Sequence, residues 1–299
     1  MEIRPWFELD AYQDDPRYAQ LTATQRAQVD TFREDGYLIL EETEIAHATL
    51  DAVIHALDGQ DPSSEYIHGG RTQDAWNRFP AVGDIATAAR ILETLHMLYQ
   101  RDPIPFQTLN FRVATQQRAH SDTIHFNTLP HGFMCGVWVA LEDADADNGP
   151  LFYHPGSQRL PVFHLDDLGL EPNGEPDDDD SSTYARYEDR IEQILGESAY
   201  RPRQAHLKKG QALIWSANIF HGGSKLLDPA RTRKSQVTHY YFPGCIYYTP
   251  LLSSPMQQRW TLRQVADIRT RQRVPEYAGA GTAPSSLSTV RAWVRKLVR

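Results

Sequence analysis

His120-Ser121-Asp122 is an H-x-D step, and on extended backbone residues two positions apart point to the same side. One imidazole and one carboxylate placed this way can face a common metal ion if a third ligand arrives from elsewhere. His221, in the segment NIFHGGS, is the best candidate downstream. Two histidines and one carboxylate on one face of an iron ion leave the other positions open for oxygen and a co-substrate, the donor set of non-heme Fe(II) oxygenases. A second H-x-D, His164-Leu165-Asp166, lies in a loop-like stretch with no strand before it, so the first copy is preferred. Arg233 follows His221 at the start of the alternation Val237, His239, Tyr241. A guanidinium there suits a co-substrate with a terminal carboxylate, because it forms two parallel hydrogen bonds and keeps its charge. Arg231, two residues earlier, competes for the role.

Positioning such residues requires a rigid scaffold, and the pattern of elements predicts one. Helices are expected over 22–36, where Thr22 and Gln25 form a capping box and Gly36 a C-cap, over 44–57, and over 83–99. A short strand is expected at 37–40, and from residue 104 the character changes to short strands, near 104–114, 133–141, 150–154, 204–208, 211–216 and 235–243. Helices first and strands afterwards, without βαβ alternation, predict an α+β chain with a mainly β, double-sheet core. We read 1–299 as one domain: an arm and helices over 1–100, the β core over 101–250 with an insertion at 169–200, and a helical extension over 251–299. The polar stretch 59–80 carries Tyr66, His68, Arg71 and Trp76 and is a candidate to line or cover a substrate site.

The insertion holds four consecutive aspartates, most simply a solvated loop, followed by a helix over 182–196. Residues 285–299 form a basic amphipathic helix expected to dock on its own domain or on a second subunit, which leaves a homodimer open. A net charge of −9 without a basic stripe argues against a nucleic-acid partner. No apolar run approaches the roughly 18 residues of a membrane span, and the start lacks the features of a signal peptide, so a cytoplasmic location is expected. Cys135 and Cys245 fall in apolar runs and are expected to be buried free thiols.

The stretches FREDGYLIL (32–40), HSD (120–122), WVALED (138–143), NGPL (148–151), PGS (155–157) and HGGS followed by RKSQVTHY make the chain resemble the phytanoyl-CoA dioxygenase family of Fe(II)- and 2-oxoglutarate-dependent oxygenases. The six motifs agree in order from about residue 32 to 243. The resemblance implies a double-stranded β-helix, a cupin-like jelly roll, with N-terminal helices packed on one sheet. It implies iron at His120, Asp122 and His221, with Arg233 on the distal carboxylate of 2-oxoglutarate and Trp138 bordering that co-substrate. The family's hydroxyl two positions after the distal histidine is Gly223 here, with Ser224 beside it as the alternative contact. Asp122 argues against halogenation, because related halogenases carry a small residue there. Gln107 and Asn110 lie on the preceding strand, and one of them is expected to face the 2-oxoglutarate.

Substrate contacts are expected from His125, Phe126 and Asn127, close to the metal pair, and from Trp76 and His68 in the polar stretch. His131, His154 and His239 are read as structural, and Trp215 as core. The reaction implied is oxidation of an unactivated C–H bond, usually hydroxylation, of a small polar metabolite or natural product, using O2 and releasing succinate and CO2. Two other classes compete: a jelly-roll binding protein without turnover, and a cupin-like isomerase using its metal as a Lewis acid, which would not need Arg233.

Overall fold

Local signals set the helices of the first third. The computed structural model describes residues 4–59, 67–68, 71–171 and 183–274. Its helices are α1 (Pro16–Gln20), α2 (Ala23–Asp35), α3 (His47–Asp58), α4 (Pro80–Ala86), α5 (Ala89–Tyr99) and α6 (Thr183–Glu197). The expected box forms at α2, where Thr22 accepts from the Gln25 amide and Gln25 reaches back to the Thr22 amide. The second helix starts later than predicted, because Glu44 takes positive φ (59°) and Thr43 ties the entry to the Gly210 carbonyl.

The predicted helix 83–99 is two helices. Thr87 Oγ1 bonds back to the Gly83 carbonyl at 2.9 Å, and Ala88 is extended, so the chain bends between α4 and α5. The sheet beneath supports the break. Gln236 Nε2 donates to the Val82 carbonyl at 2.9 Å and the Tyr240 hydroxyl to the Ala86 carbonyl at 2.8 Å, satisfying acceptors near the end of α4.

The strands are β1 (Tyr37–Leu40), β2 (Ile67–His68), β3 (Arg71–Gln73), β4 (Ile104–Phe111), β5 (Asn127–Leu129), β6 (Met134–Ala140), β7 (Leu151–Tyr153), β8 (Arg203–Gln204), β9 (Ala212–Ser216), β10 (His221–Gly223), β11 (Ser235–Tyr241) and β12 (Ile246–Tyr248). Seven form one antiparallel sheet in the order β1-β9-β6-β11-β4-β3-β2, and two smaller sheets, β10-β7-β8 and β12-β5, make the opposing layer. This is the expected jelly roll. Part of the polar stretch is not loop: β3 pairs with β4 and carries the large sheet one hairpin further.

Alternation sorts the sheet into two faces. Cys135, Val137, Val139, Ala212, Ile214 and Tyr240 pack with the helices, where Leu50, Ile91, Leu95 and Leu98 are buried. The other face, with Trp138, Leu213, Trp215, Val237 and Phe111, packs on Leu151, Tyr153 and Leu207 of the small-sheet side. Both cysteines are buried and free. Among the described residues no helix is long and apolar enough to cross a membrane. The expected C-terminal helix, 285–299, and the four aspartates lie outside the described residues.

Candidate metal centre

His120, Asp122 and His221 come together between the two layers. Their ligand atoms all lie within 4.8 Å of one another, and all three side chains are buried. The H-x-D segment is not a strand, as the sequence suggested. Ser121 is extended, Asp122 opens a 3-10 turn, and one antiparallel bridge, His120 to His221, fastens the segment to β10. That bridge puts the two rings 4.6 Å apart, and His221 Nε2 sits 3.7 Å from Asp122 Oδ1.

The tautomers suit a metal. His120 Nδ1 meets the Arg118 carbonyl at 3.0 Å and His221 Nδ1 the Ile219 carbonyl at 3.1 Å, so each ring donates from Nδ1 and keeps the Nε2 lone pair. Burial, reinforced by the nearby His221, pushes the His120 pKa down to about 3, which leaves its imidazole neutral at physiological pH. Burial alone would raise the Asp122 carboxyl, but His221, His239 and His120 outweigh it and hold that group well below the usual carboxylate range. A neutral His120 imidazole, the His221 ring and an ionised carboxylate form a nitrogen and oxygen donor set that fits a divalent first-row metal.

Two supports of Asp122 were not foreseen. Trp215, read as core, donates from Nε1 to Asp122 Oδ2 at 2.7 Å, and His239, read as structural, places Nε2 3.5 Å from the same oxygen. The indole reaches the carboxylate by crossing β6 at Gly136, where a Cβ would stand 2.3 Å from Trp215 Cε2. A glycine inside an apolar strand often marks such a close approach, and Gly136 in MCGVWVA was the signal available in the sequence. Gly136→Ala is therefore expected to displace the indole and to weaken Fe(II) binding by about 10- to 100-fold, the usual cost of losing an outer-shell partner. A metal titration with an unchanged affinity would contradict this role.

At the other end of β11, Arg233 is buried between Phe111 and Trp138, its guanidinium carbon 5.6 and 5.5 Å from the two rings. Among the described residues its guanidinium makes one hydrogen bond, to Ser235 Oγ at 2.8 Å, and its Nε is buried without a partner. Burial lowers its pKa to about 10, still charged at neutral pH, with Glu142 only partly offsetting the effect. A buried cation lacking a counterion is costly, so this position suits an incoming carboxylate. The Trp138 Nε1 donor beside it is likewise buried and unpaired. Arg231 is instead held by Asp145 at 2.7 Å on the surface side.

Other expected contacts divide. Gln107 stands opposite His239 in the β4-β11 register, with Oε1 unpaired among the described residues. Asn110 differs: its amide donates to Gln236 Oε1 at 3.1 Å on the helix-facing side, because it is an odd number of positions from Gln107. The Ser224 hydroxyl accepts from Gln204 at 3.2 Å, and a Cβ at Gly223 would meet the Gln116 amide nitrogen at 2.9 Å, so a larger residue there has no room.

His125 and Phe126 border the centre. The Phe126 ring lies 4.7 Å from that of His239, and the His125 ring lies tilted 5.1 Å from that of Tyr184. Asn127 Nδ2 donates to the Tyr248 hydroxyl at 3.1 Å and Trp76 Nε1 to Asp74 Oδ1 at 3.2 Å. The side chain of His68 lies outside the described residues. The rival pair is apart from the triad: His164 Nε2 meets the Tyr248 hydroxyl at 2.8 Å, while Asp166 accepts from Ser254 at 2.8 Å.

The helix of the insertion is part of the centre's frame, which its sequence did not reveal. Arg118, whose carbonyl fixes His120, binds Glu192 and Asp189 on α6 at 2.7 and 2.6 Å. Gln117 donates to the Tyr184 hydroxyl, and the Tyr187 hydroxyl accepts from the Ser121 amide, between His120 and Asp122, at 3.3 Å. Tyr187→Phe leaves that buried amide unpaired and is expected to lower stability by about 1 kcal/mol, measured by urea unfolding. No change in the midpoint would count against it.

A family model described as phytanoyl-CoA dioxygenase (PhyH) matches residues 81–233, just over half of the chain. A curated relative, phytanoyl-CoA dioxygenase domain-containing protein 1 of Danio rerio, is 27% identical over 112 residues, 37% of this chain. The match spans only about a third (33%) of that relative's length. Among solved structures, EctD from S. alaskensis with 2-oxoglutarate and 5-hydroxyectoine superposes with a TM-score of 0.57 at 16% identity, covering 96% of this chain and 93% of that one. The epimerase SnoN in complex with Fe3+, alpha ketoglutarate and nogalamycin RO gives 0.54 at 18% identity, covering 75% and 86%. The alpha ketoglutarate dependent carbocyclase SnoK from nogalamycin biosynthesis gives 0.54 at 12%, covering 88% and 95%. At these identities the likeness shows a shared fold.

Proposed function

Because the chain belongs to the phytanoyl-CoA dioxygenase family, we propose that it is an Fe(II)- and 2-oxoglutarate-dependent oxygenase that oxidises, by hydroxylation, a C–H bond of a small polar metabolite or natural product. The single observation that carries this reading is the buried Arg233, its Nε without a partner among the described residues, on the same inner face as the His120, Asp122 and His221 cluster. In the proposal those three residues hold the metal and Arg233 holds the distal carboxylate of 2-oxoglutarate. When bound, the pair supplies the oxidising power, with O2 consumed and 2-oxoglutarate converted to succinate and CO2.

The chain's own residues do the positioning. Trp215 and His239 orient the Asp122 carboxylate, while the carbonyls of Arg118 and Ile219 fix the imidazole tautomers. Ser235 steers the guanidinium, and the Phe111 and Trp138 rings keep water from it. A Lewis-acid isomerase would have no use for a guanidinium buried at such cost, so the oxygenase reading is preferred. The test is 2-oxoglutarate consumption in air with Fe(II). Slow, iron-dependent succinate formation without added substrate is expected, and no consumption under any condition would refute the reading.

A further inference from the structure

Beyond the triad, the inner face of β11 continues away from Arg233 to Tyr241, and a second cation stands at that end. Arg263 lies in the segment after β12, where its amide donates to the Tyr247 carbonyl at 2.8 Å. Its Nη1 donates to Thr249 Oγ1 at 3.1 Å, and its guanidinium carbon is 4.7 Å from the Phe126 ring centre. That ring is the one standing 4.7 Å from His239, beside Asp122, so a single aromatic side chain separates Arg263 from the neighbourhood of the metal ligands.

Several polar atoms here lack partners. Arg263 Nε, the Tyr241 hydroxyl, His239 Nδ1 and Gln107 Oε1 are all buried and unpaired among the described residues. Buried polar groups are almost always satisfied, so a run of orphans from β4 across β11 to the segment after β12 marks a place where a polar ligand belongs. The run starts at the triad and ends at a positive charge. Its position opposite Arg233 places it on the other side of the metal ligands from the co-substrate's distal carboxylate.

We infer that Arg263, with Thr249 and the Tyr241 hydroxyl beside it, holds an anionic group of the substrate, so that the substrate is a small carboxylic acid with an apolar body against Phe126. This rests on the oxygenase reading and names the substrate class for it. The charge-assisted contact gives affinity, and the distance of the acid group from the triad sets which carbon is presented.

The test uses the full chain loaded anaerobically with Fe(II) and 2-oxoglutarate, with two matched probe pairs: phenylacetate against phenylacetamide, and hexanoate against hexanamide. Binding is read by calorimetry. The wild type is expected to bind the acids ~10- to 100-fold more tightly than the amides. In Arg263→Gln the preference falls to about one, and Arg263→Lys restores part of it, while 2-oxoglutarate binding is unchanged in both. A wild type that takes 2-oxoglutarate but shows no preference, or binds neither class, overturns the inference alone, as does a preference that survives in Arg263→Gln. A wild type that fails to take 2-oxoglutarate at the loading step refutes the oxygenase reading, and the inference with it.

Discussion

Replacing Asp122 with alanine is expected to abolish Fe(II) binding at neutral pH and, with it, 2-oxoglutarate turnover. The loss should exceed the ~10- to 100-fold that removal of an outer-shell partner costs, because a first ligand and its negative charge disappear together. His120 and His221 alone offer a dication two nitrogen donors and no negative charge. The substitution also strips the acceptor from the buried Trp215 Nε1, which costs about 1–3 kcal/mol of stability in its own right. Asp122→Asn separates the two effects. It keeps an oxygen for the indole and should fold as the wild type does, yet it lacks the charge and should still fail to hold iron. Metal affinity within tenfold of wild type in both variants would remove Asp122 from the site.

Arg233→Gln is expected to raise the apparent Kd for 2-oxoglutarate while leaving Fe(II) affinity unaltered. Truncating one member of a buried, hydrogen-bonded charge pair costs about 2–5 kcal/mol, or roughly 30- to 5,000-fold. The apoprotein should respond in the opposite sense. Without ligand, the wild type buries a guanidinium that among the described residues bonds only Ser235, so removing the charge should leave the apoprotein at least as stable as the wild type. Weakened co-substrate binding together with an undiminished urea midpoint is the signature of a residue kept for its ligand. Destabilisation of the apoprotein with unchanged 2-oxoglutarate binding would identify Arg233 as a structural cation.

The parts of this centre that were legible in the sequence are those whose chemistry is rare and whose neighbours are local. His120, Asp122 and His221 stood out because few residue types bind iron, and Arg233 because an arginine opens a strand of otherwise apolar alternation. The positions of β4, β6, β9 and β11 followed from short apolar runs, whereas β10, the three-residue strand that carries His221, was too short to read. What escaped was the residue partnered across a long sequence distance. Trp215 meets Asp122 from 93 positions away, and in its strand it is indistinguishable from a core tryptophan. His239 occupies an inward position in an apolar alternation, which reads as a satisfied core histidine until Asp122 is seen beside it. Asn110 was assigned to the site because it shares a strand with Gln107, but the side-chain period of two sends it to the helices. The amphipathic pattern of α6 predicted a helix correctly, yet amphipathicity says only that one face is covered. That the cover is the segment bearing His120 and Asp122 depends on Arg118, Ser121 and Gln117, none of which has a distinctive pattern of its own.

Anaerobic titration of the apoprotein with Fe(II) and 2-oxoglutarate, followed by visible absorption, tests the central claim most directly. The account predicts a charge-transfer band that saturates at one equivalent of each, is absent in Asp122→Ala, and needs a much higher 2-oxoglutarate concentration in Arg233→Gln. A wild-type protein that develops no band, or a band of equal strength in Asp122→Ala, would contradict it.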